Sequence, residues 1–292
     1  MLRSMYSGIG GMKNFQTKLD VIGNNIANVN TYGFKKGRTI FKDLVSQQIA
    51  GASAPIANTR GGVNPKKVGL GVQLAAIDTV HTQGSVQTTG RTLDLAISGD
   101  GFFVLGNGTN AGGSIISPVY TRAGNFYLDQ NGDIVNADGL YLMGERYNES
   151  PNTSTNAVGK ITIPLTAKSF SIGSDGTVNY VDSNGNLRIA GQIRLAKFEN
   201  NDGLEKAGGN LFKETANSGA IDNDNDGVEL AELDAPGTGG TGTIVAGTLE
   251  MSNVDLSEEF TEMIVAQRGF QANTRIITTS DQILEELVNL KR

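Results

Sequence analysis

The chain has 292 residues, among them 39 glycines, no cysteine, no tryptophan and a single histidine. The missing cysteines exclude disulfide frameworks, thiolate nucleophiles and zinc–thiolate sites, and one histidine cannot build a multi-histidine metal site. The formal net charge of −6 equals the charge of one stretch without basic residues, which holds Asp222, Asp224, Asp226, Glu229, Glu232 and Asp234. Because no basic stripe interleaved with aromatic residues occurs, nucleic acid is not expected as a partner.

Neither a membrane span nor a cleaved secretory signal is expected. No apolar run approaches the roughly 18 residues needed to cross a bilayer. The first residues, Met-Leu-Arg-Ser-Met, lack the charged, apolar and small-residue regions of a secretory signal.

The first predicted element is a long amphipathic helix. Its apolar residues recur at spacings of three and four, the pattern of one buried helix face. They are Leu2, Met5, Ile9, Met12, Phe15, Leu19, Ile22, Ile26 and Val29. Four glycines interrupt the stretch, at Gly8, Gly10, Gly11 and Gly23. Each costs the helix roughly 0.5–1 kcal/mol relative to alanine, so the helix should depend on packing for its stability.

Between roughly Thr31 and Asn253, alternating apolar residues and glycine turns replace the helical period and predict β-structure. The stretch 93–105 indicates two short strands around a Gly-Asp-Gly turn, and 125–135 indicates a hairpin at Asn131-Gly132.

A second long amphipathic helix follows the β region. Asp255, with Glu258 three residues later, has the spacing of a capping box and marks its start. Its apolar face holds Leu256, Phe260, Met263, Phe270, Ile277, Leu284 and Val288.

The predicted fold class is therefore α+β: long N- and C-terminal α-helices paired as a coiled-coil-like inner domain, with a central all-β region. The expected domains are a helical domain at 1–30 and 254–292, a connecting segment at 31–90 and 244–253, and a β-rich outer domain at 91–243. The outer domain carries an acidic, glycine-rich insertion at about 221–243.

Two apolar stripes of this width indicate burial against other copies of the chain, beyond their mutual pairing. A simple intramolecular helix pair without an assembly role stays open as the alternative. The predicted assembly interface comprises Met5, Ile9, Met12, Leu19, Ile22, Ile26, Leu256, Phe260, Met263, Phe270, Ile277, Leu284 and Val288.

No catalytic, cofactor or metal site is predicted. The Gly-x-Gly-x-x-Gly pattern at 237–242 follows an acidic run and does not open a helix, so it is interpreted as a loop. The stretch 222–227 fits the first half of a calcium loop, but Leu233 occupies the twelfth position, where a bidentate carboxylate is required. A solvated acidic loop is the favoured interpretation, and weak calcium binding is the alternative. His81 lies among strand-like residues and is interpreted as structural.

Both ends of the chain carry distinctive motifs. The segment 19–35 (LDVIGNNIANVNTYGFK) resembles the N-terminal signature of bacterial flagellar rod and hook proteins, and 252–273 resembles their C-terminal signature. The segments 89–103 and 120–126 are similar to the family's β region. The motif residues are Asn24, Asn25, Asn28, Thr31, Gly33, Phe34, Gln267, Arg268 and Asn273.

This resemblance implies a structural protein with no enzymatic activity. It implies export by the flagellar type III secretion apparatus without a cleaved signal, and polymerisation outside the membrane. In the family, the terminal helices form the inner wall of a hollow helical tube and the β domains face outward.

Within the family, the C-terminal helix resembles hook proteins, so a compact hook subunit is expected: a flexible tube, adjoining the basal body, that transmits torque to the filament. Its implied partners are further copies of itself, the distal rod protein, the hook cap, the hook–filament junction proteins and the export apparatus. The alternative is the distal rod protein, a rigid drive shaft, because the segment 46–55 lies where distal rod proteins carry an additional stretch. A secreted calcium-stabilised adhesin or glycan-active enzyme is the competing class.

Overall fold

The computed structural model describes residues 2–55, 61–109, 113–115, 117–148, 153–221 and 227–290. In the sequence, one long helix precedes a β-rich middle and a second long helix follows it, which confirms the α+β class. The helices are α1 (Leu2–Ala27) and α2 (Leu256–Asn289). The strands are β1 (Gly37–Asp43), β2 (Gln47–Ala50), β3 (Lys66–Val68), β4 (Val72–Thr79), β5 (Val86–Thr88), β6 (Leu95–Ser98), β7 (Phe102–Gly106), β8 (Val119–Thr121), β9 (Tyr127–Leu128), β10 (Ile134–Val135), β11 (Tyr141–Tyr147), β12 (Ser154–Lys160), β13 (Ser169–Ile172), β14 (Thr177–Val181), β15 (Leu187–Ile193), β16 (Leu195–Ala196), β17 (Glu205–Gly208), β18 (Leu211–Lys213), β19 (Thr243–Ala246) and β20 (Thr248–Glu250).

The chain divides into two compact units. The first contains Met1–Ala27, Gly37–Val80 and Val254–Arg292, and the second contains Asn28–Lys36 and His81–Asn253. Residues 37–80, expected as part of a connecting segment, thus belong with the two helices. Among the described residues, no helix is both long enough and apolar enough to span a membrane.

The first unit is a helix pair with two small antiparallel sheets. Helix α2 begins where the sequence predicts, because the Asp255 carboxylate accepts hydrogen bonds from the backbone amides of Ser257 and Glu258. Strands β1 and β4 pair along their lengths, with a bulge between Ile40 and Phe41, and α1 packs against both strands. Strands β2 and β3 form a separate hairpin whose side chains are all exposed.

The second unit is built on an antiparallel sheet of twelve strands. Its main path runs β13-β14-β15-β11-β7-β8-β18-β17, and β9, β10, β12 and β16 pair at its sides. Strand β6 pairs with β19, and β5 with β20. The predicted strands on either side of the Gly-Asp-Gly turn are β6 and β7, and the predicted hairpin is β9–β10.

Two apolar cores lie against the central strand β7. Phe103 and Leu105 belong to one core, and Phe102 and Val104 belong to the other. Successive side chains of a strand point to opposite faces of a sheet, so β7 is buried on both sides. This arrangement explains why 102–106 is a continuous apolar run and not an alternating one.

Candidate assembly interface

The two terminal helices run antiparallel. Gly8 of α1 lies beside Ile277 of α2, and at the far end of the pair the Lys18 ammonium forms a 3.0 Å ion pair with Glu262. The predicted pairing of the chain ends is therefore confirmed.

We call the contact surface between α1 and α2 the seam. On α2, the residues of this surface follow a seven-residue repeat. One set of seam positions is buried and mostly small or polar: Glu259, Ala266 and Ser280, with Asn273 half-buried. The other set is large, apolar and half-buried: Met263, Phe270, Ile277 and Leu284. A repeat of seven residues is the spacing of a coiled coil. The predicted coiled-coil-like character thus appears in the residue spacing.

The seam of α1 depends on residues that have almost no side chain. Gly8 and Gly11 are buried against α2. From the α2 side, Gly269 faces the Phe15 ring, and a Cβ atom at Gly269 would lie 2.6 Å from that ring. A Cβ atom at Gly11 would lie 2.9 Å from the Asn273 side chain, whereas one at Gly8 would make only ordinary contacts, at 3.5 Å or more. The close approach of the helices therefore requires glycine at Gly11 and Gly269. Gly23, in contrast, has no atom within 4 Å of a Cβ added there.

Asn25, one of the family-motif residues, is buried and ties together three parts of the first unit. Its side-chain amide donates to the Gly37 carbonyl (2.9 Å) and to the Glu259 carboxylate (3.2 Å), and its oxygen accepts from the Gly37 amide (2.9 Å). These bonds join α1 to the start of β1 and to α2. A buried polar contact of this kind fixes the register of paired helices.

A side of α1 next to the seam packs on β1 and β4. The Phe15 and Phe41 rings meet edge to face, with centroids 6.2 Å apart. The Asn14 side-chain amide donates to the Val72 carbonyl at 2.7 Å. Sequence reasoning missed Asn14 and Gly269, because neither a polar residue nor a glycine contributes to an apolar pattern.

The structure spreads the predicted interface residues over three levels of exposure. Ile22 is buried. The half-buried group is Met5, Met12, Leu19, Ile26, Met263, Phe270, Ile277 and Leu284. The exposed group is Ile9, Leu256, Phe260 and Val288. Tyr6 and Val265, which the prediction did not include, are also exposed. So are the residues that widen the predicted apolar stripe of α2, namely Ile264, Ile276, Ile283, Leu287 and Leu290. A water-exposed apolar surface of this extent marks an interaction site. Its use between copies stays a prediction.

The N-terminal motif continues into the second unit. Asn28 accepts a hydrogen bond from the Thr31 hydroxyl at 3.1 Å. Gly33 adopts φ +67°, and a Cβ atom there would lie 2.5 Å from the Ala123 amide nitrogen. Only glycine satisfies both conditions. Phe34 is buried and stacks under the Lys206 ammonium, 5.1 Å from the ring centroid.

A buried ionic cluster follows directly after this motif. The Lys35 ammonium donates to Glu250 at 2.6 Å and to the Thr82 carbonyl at 2.8 Å. The Arg122 guanidinium lies 3.4 Å from the other Glu250 oxygen. The side chains of Lys35 and Glu250 are completely buried. Burial lowers the pKa of both Lys35 and Arg122, and Glu250 opposes this effect. The sequence offered no signal for the cluster, because its members are far apart along the chain.

His81 lies in an aromatic pocket near this cluster. Its ring is 5.7 Å from Phe102 and 5.4 Å from Phe212, centroid to centroid. Within the described part of the chain, neither ring nitrogen has a hydrogen-bond partner. Burial, and then the positive charges of Lys35, Arg122 and Lys206, lower the pKa of His81 to about 4. The histidine is therefore neutral at pH 7, in agreement with its interpretation as structural.

The remaining predicted residues lie in the two helices and in the acidic stretch. Of the motif residues in the helices, Asn24, Gln267 and Arg268 are exposed, whereas Asn273 faces Gly11. In the acidic stretch, residues 222–226 lie outside the described part of the chain. Leu233, the twelfth position of the calcium pattern, is buried in the second core. The favoured interpretation of this stretch as a solvated loop stays a prediction.

Comparison with known proteins adds three family matches and several relatives. The chain matches "Flagella basal body rod protein" over residues 5–35, "Flagellar hook protein FlgE/F/G D1 domain" over 96–180 and "Flagellar basal body rod FlgEFG protein C-terminal" over 245–290. It is 57% identical to the flagellar basal-body rod protein FlgG of Bacillus subtilis, over the full length of both chains.

The chain belongs to the bacterial flagellar rod and hook protein family. It is also 37% identical to the basal-body rod protein FlgG and 33% identical to the hook protein FlgE of Borreliella burgdorferi, with full coverage of all three chains. The resemblance seen in the sequence is thereby confirmed. Proteins of this family are structural parts of the flagellum, and the comparisons favour a rod subunit over the expected hook subunit.

Substituting Gly269 by alanine should weaken the helix pair. Alanine normally stabilises a helix relative to glycine, but here its Cβ would overlap the Phe15 ring, and overpacking costs about 1–3 kcal/mol. Gly23→Ala is the matched control, because its open surroundings should give a gain of about 1 kcal/mol. Thermal unfolding followed by helical circular dichroism distinguishes the two, and equal stabilisation by both variants would contradict the proposed close approach.

Removing the charge of Glu250 should strongly destabilise the second unit. Glu250→Gln leaves two buried cations without a carboxylate, which should cost about 3–5 kcal/mol in urea unfolding. Lys35→Met should cost less, since Glu250 keeps Arg122. Arg38→Gln removes an exposed ion pair with Asp78 and should change stability by less than about 1 kcal/mol. A Glu250→Gln effect as small as that of Arg38→Gln would refute the role of the cluster.

Acid should destabilise the second unit through His81. The pKa of the folded state, about 4, lies below the usual 6.5, so the unfolded chain binds the proton more readily. The stabilisation is complete above pH 6.5 and is lost as the pH falls towards 4, by at most about 3 kcal/mol. Unfolding of His81→Gln should lack this component. An NMR titration midpoint near 6.5 for the single histidine would disprove the effect.

Proposed function

We propose that this chain is the distal rod subunit of a bacterial flagellum, a structural protein that polymerises into a rigid hollow tube. The observation that carries the proposal is the alignment with the B. subtilis rod protein, which runs over 292 residues and covers all of both chains. This identity over the full alignment supports the same domains in both chains.

The hook interpretation is supported less well. The alignment with the B. burgdorferi hook protein extends over 459 residues, although this chain has 292. That hook protein therefore contains additional sequence without a counterpart here. The motifs at both chain ends are shared by rod and hook proteins, so they do not separate the two. The overall length and the 57% identity to a rod protein support the rod interpretation.

The hairpin β2–β3 supports the same conclusion. It includes part of the segment 46–55, which lies where distal rod proteins carry an additional stretch. Every residue of both strands is exposed, and Val45 and Ile49 are among the exposed apolar residues around it. A hairpin without a buried side gains no stability from a core of its own. Contacts with neighbouring copies would bury it and would stiffen the tube.

The helix pair suits a tube wall that resists torsion. Its seam is closely packed at glycine positions and fixed in register by Asn25 and Glu259, so it does not slide easily. The exposed apolar residues on both helices are free to pack against other copies. Under this proposal the partners are further copies of the chain, adjoining rod and hook subunits, and the export apparatus. The hook cap and the hook–filament junction proteins belong to the hook interpretation.

Loss of the gene should leave basal bodies that lack both the distal rod and the hook, because the hook needs the rod beneath it. Purified subunits should polymerise into straight tubes. Deletion of residues 50–58 should then introduce curvature while tubes still form, with a deletion inside the acidic stretch as the control. Basal bodies with a complete rod and no hook, or curved tubes from the intact chain, would instead support the hook interpretation.

A further inference from the structure

Three asparagines of this chain are followed directly by glycine, at Asn107, Asn131 and Asn184. All three pairs lie in the second unit, beside strands of the β region. Asparagine is a chemically labile residue, and a following glycine has no side chain to obstruct the approach of its backbone nitrogen. The three pairs are therefore the positions at which this chain is best able to modify itself.

The reaction is a deamidation that needs only water. The backbone nitrogen of the glycine loses its proton and attacks the side-chain carbonyl carbon of the asparagine, and the side-chain nitrogen leaves as ammonia. Water then opens the resulting cyclic imide at either of its two carbonyl groups. One opening gives aspartate, and the other gives isoaspartate, in which the backbone continues through the side-chain carbon. The net change converts asparagine and water into an acid and ammonia.

Two of the pairs occupy the same kind of turn, which restrains the glycine nitrogen. The Gly132 amide donates to the Asp129 carbonyl at 2.9 Å, and the Gly185 amide donates to the Asp182 carbonyl at 2.9 Å. Both glycines adopt φ +83°, the left-handed conformation found in such hairpin turns. Closure of the imide ring in either turn must therefore break a hydrogen bond and rotate a peptide that the hairpin holds in place.

The turn at Gly132 is held more firmly than the turn at Gly185. Gly132 is buried, and its carbonyl accepts a further hydrogen bond from the Ile163 amide at 2.8 Å. A Cβ atom added at Gly132 would collide with the Ile163 carbonyl. Within the part of the chain that the structure describes, no atom lies within 4 Å of a Cβ atom added at Gly185. The restraint on ring closure thus increases from Asn184 to Asn131.

The third pair, Asn107-Gly108, lies outside the strands and lacks the turn hydrogen bond of the other two. It follows Gly106, the last residue of β7, and precedes Thr109, which forms an isolated bridge. Asn107 is exposed. Among the described residues, the Gly108 amide has no hydrogen-bond partner, and no atom lies within 4 Å of a Cβ atom added at Gly108. Nothing in the described structure therefore holds this nitrogen away from the Asn107 side chain.

We propose that Asn107 is a site of spontaneous deamidation, and that the fold directs the reaction to this asparagine and away from the other two. This inference goes beyond the proposed function and does not depend on it. Breaking one turn hydrogen bond slows ring closure about fivefold, which corresponds to about 1 kcal/mol. Asn184 should therefore react about fivefold more slowly than Asn107, and the buried turn with two hydrogen bonds should slow Asn131 about 25-fold or more.

The product adds one negative charge just beyond the central strand of the second unit. Strand β7 is buried on both sides by its apolar residues, whereas Asn107 is exposed, so the new charge meets water and the strand keeps its packing. Isoaspartate also lengthens the backbone by a methylene group between β7 and Thr109. Because the reaction needs no partner, the modified fraction increases with the age of a subunit.

The natural chain tests this inference without any substitution. Folded subunits are incubated in warm, mildly alkaline buffer, and digests taken over time are analysed by mass spectrometry for deamidation at each asparagine. We expect Asn107 to react first, Asn184 next and Asn131 last, with isoaspartate detected at Asn107 by an isoaspartate-specific methyltransferase. The same chain in urea is the control, because the three rates should become similar once the turns are lost. The Asn107→Gln variant should lose the early release of ammonia from folded subunits.

Three outcomes would overturn the inference. Equal rates at the three asparagines of the folded chain would show that the turns give no protection. The same order and spacing of rates in folded and urea-treated chains would show that sequence, and not structure, selects the site. Reaction of Asn107 in urea but not in the folded chain would show that the fold protects this residue too. The formation or absence of tubes affects none of these results, so the proposed function is tested separately.

Discussion

Close approach of α1 and α2 at glycine is the constraint on which the first unit depends. The helices begin and end the chain, and each alone would expose a broad apolar face to water. Gly11 and Gly269 let the backbones come near enough for Phe15 to fill the space between them. The same glycines weaken each isolated helix, so the helices gain their stability from each other and from β1 and β4.

The second unit depends on charges that the sheet removes from water. Lys35, Arg122 and Glu250 come from three separate parts of the sequence and are buried together. Such a cluster adds little net stability compared with an apolar core, but losing one member is costly. It therefore constrains the pairing of these segments more than it strengthens the unit. His81 stays neutral beside it, which keeps a further positive charge out of the cluster.

The sequence predicted those features that rest on local patterns. The two helices, the cap at Asp255 and the strands around residues 93–105 follow from spacing and turn residues, and the structure has them. The α1 seam was harder to find, because glycine and asparagine do not register in an apolar pattern. The predicted Met12 lies one position beyond Gly11, the residue that faces α2. The buried ionic cluster depends on distant pairings, which no local pattern contains.

The motifs at the chain ends resemble both rod and hook proteins, so they do not separate the two. Asn25 joins α1 to α2 within the first unit, and Gly33 packs against Ala123 within the second. The alignment with the hook relative extends over 459 residues, whereas this chain has 292. A comparison of full-length chains reveals this difference, and inspection of one sequence does not.

The central claim is that one antiparallel helix pair, formed within each chain, builds the wall of the tube. Helical reconstruction of assembled tubes by electron cryomicroscopy tests it most directly. The account predicts Phe15 against Gly269 of the same chain, with Ile9, Phe260 and Ile283 buried between copies. Helices paired only between different chains, or these apolar side chains facing water in the assembled tube, would contradict it.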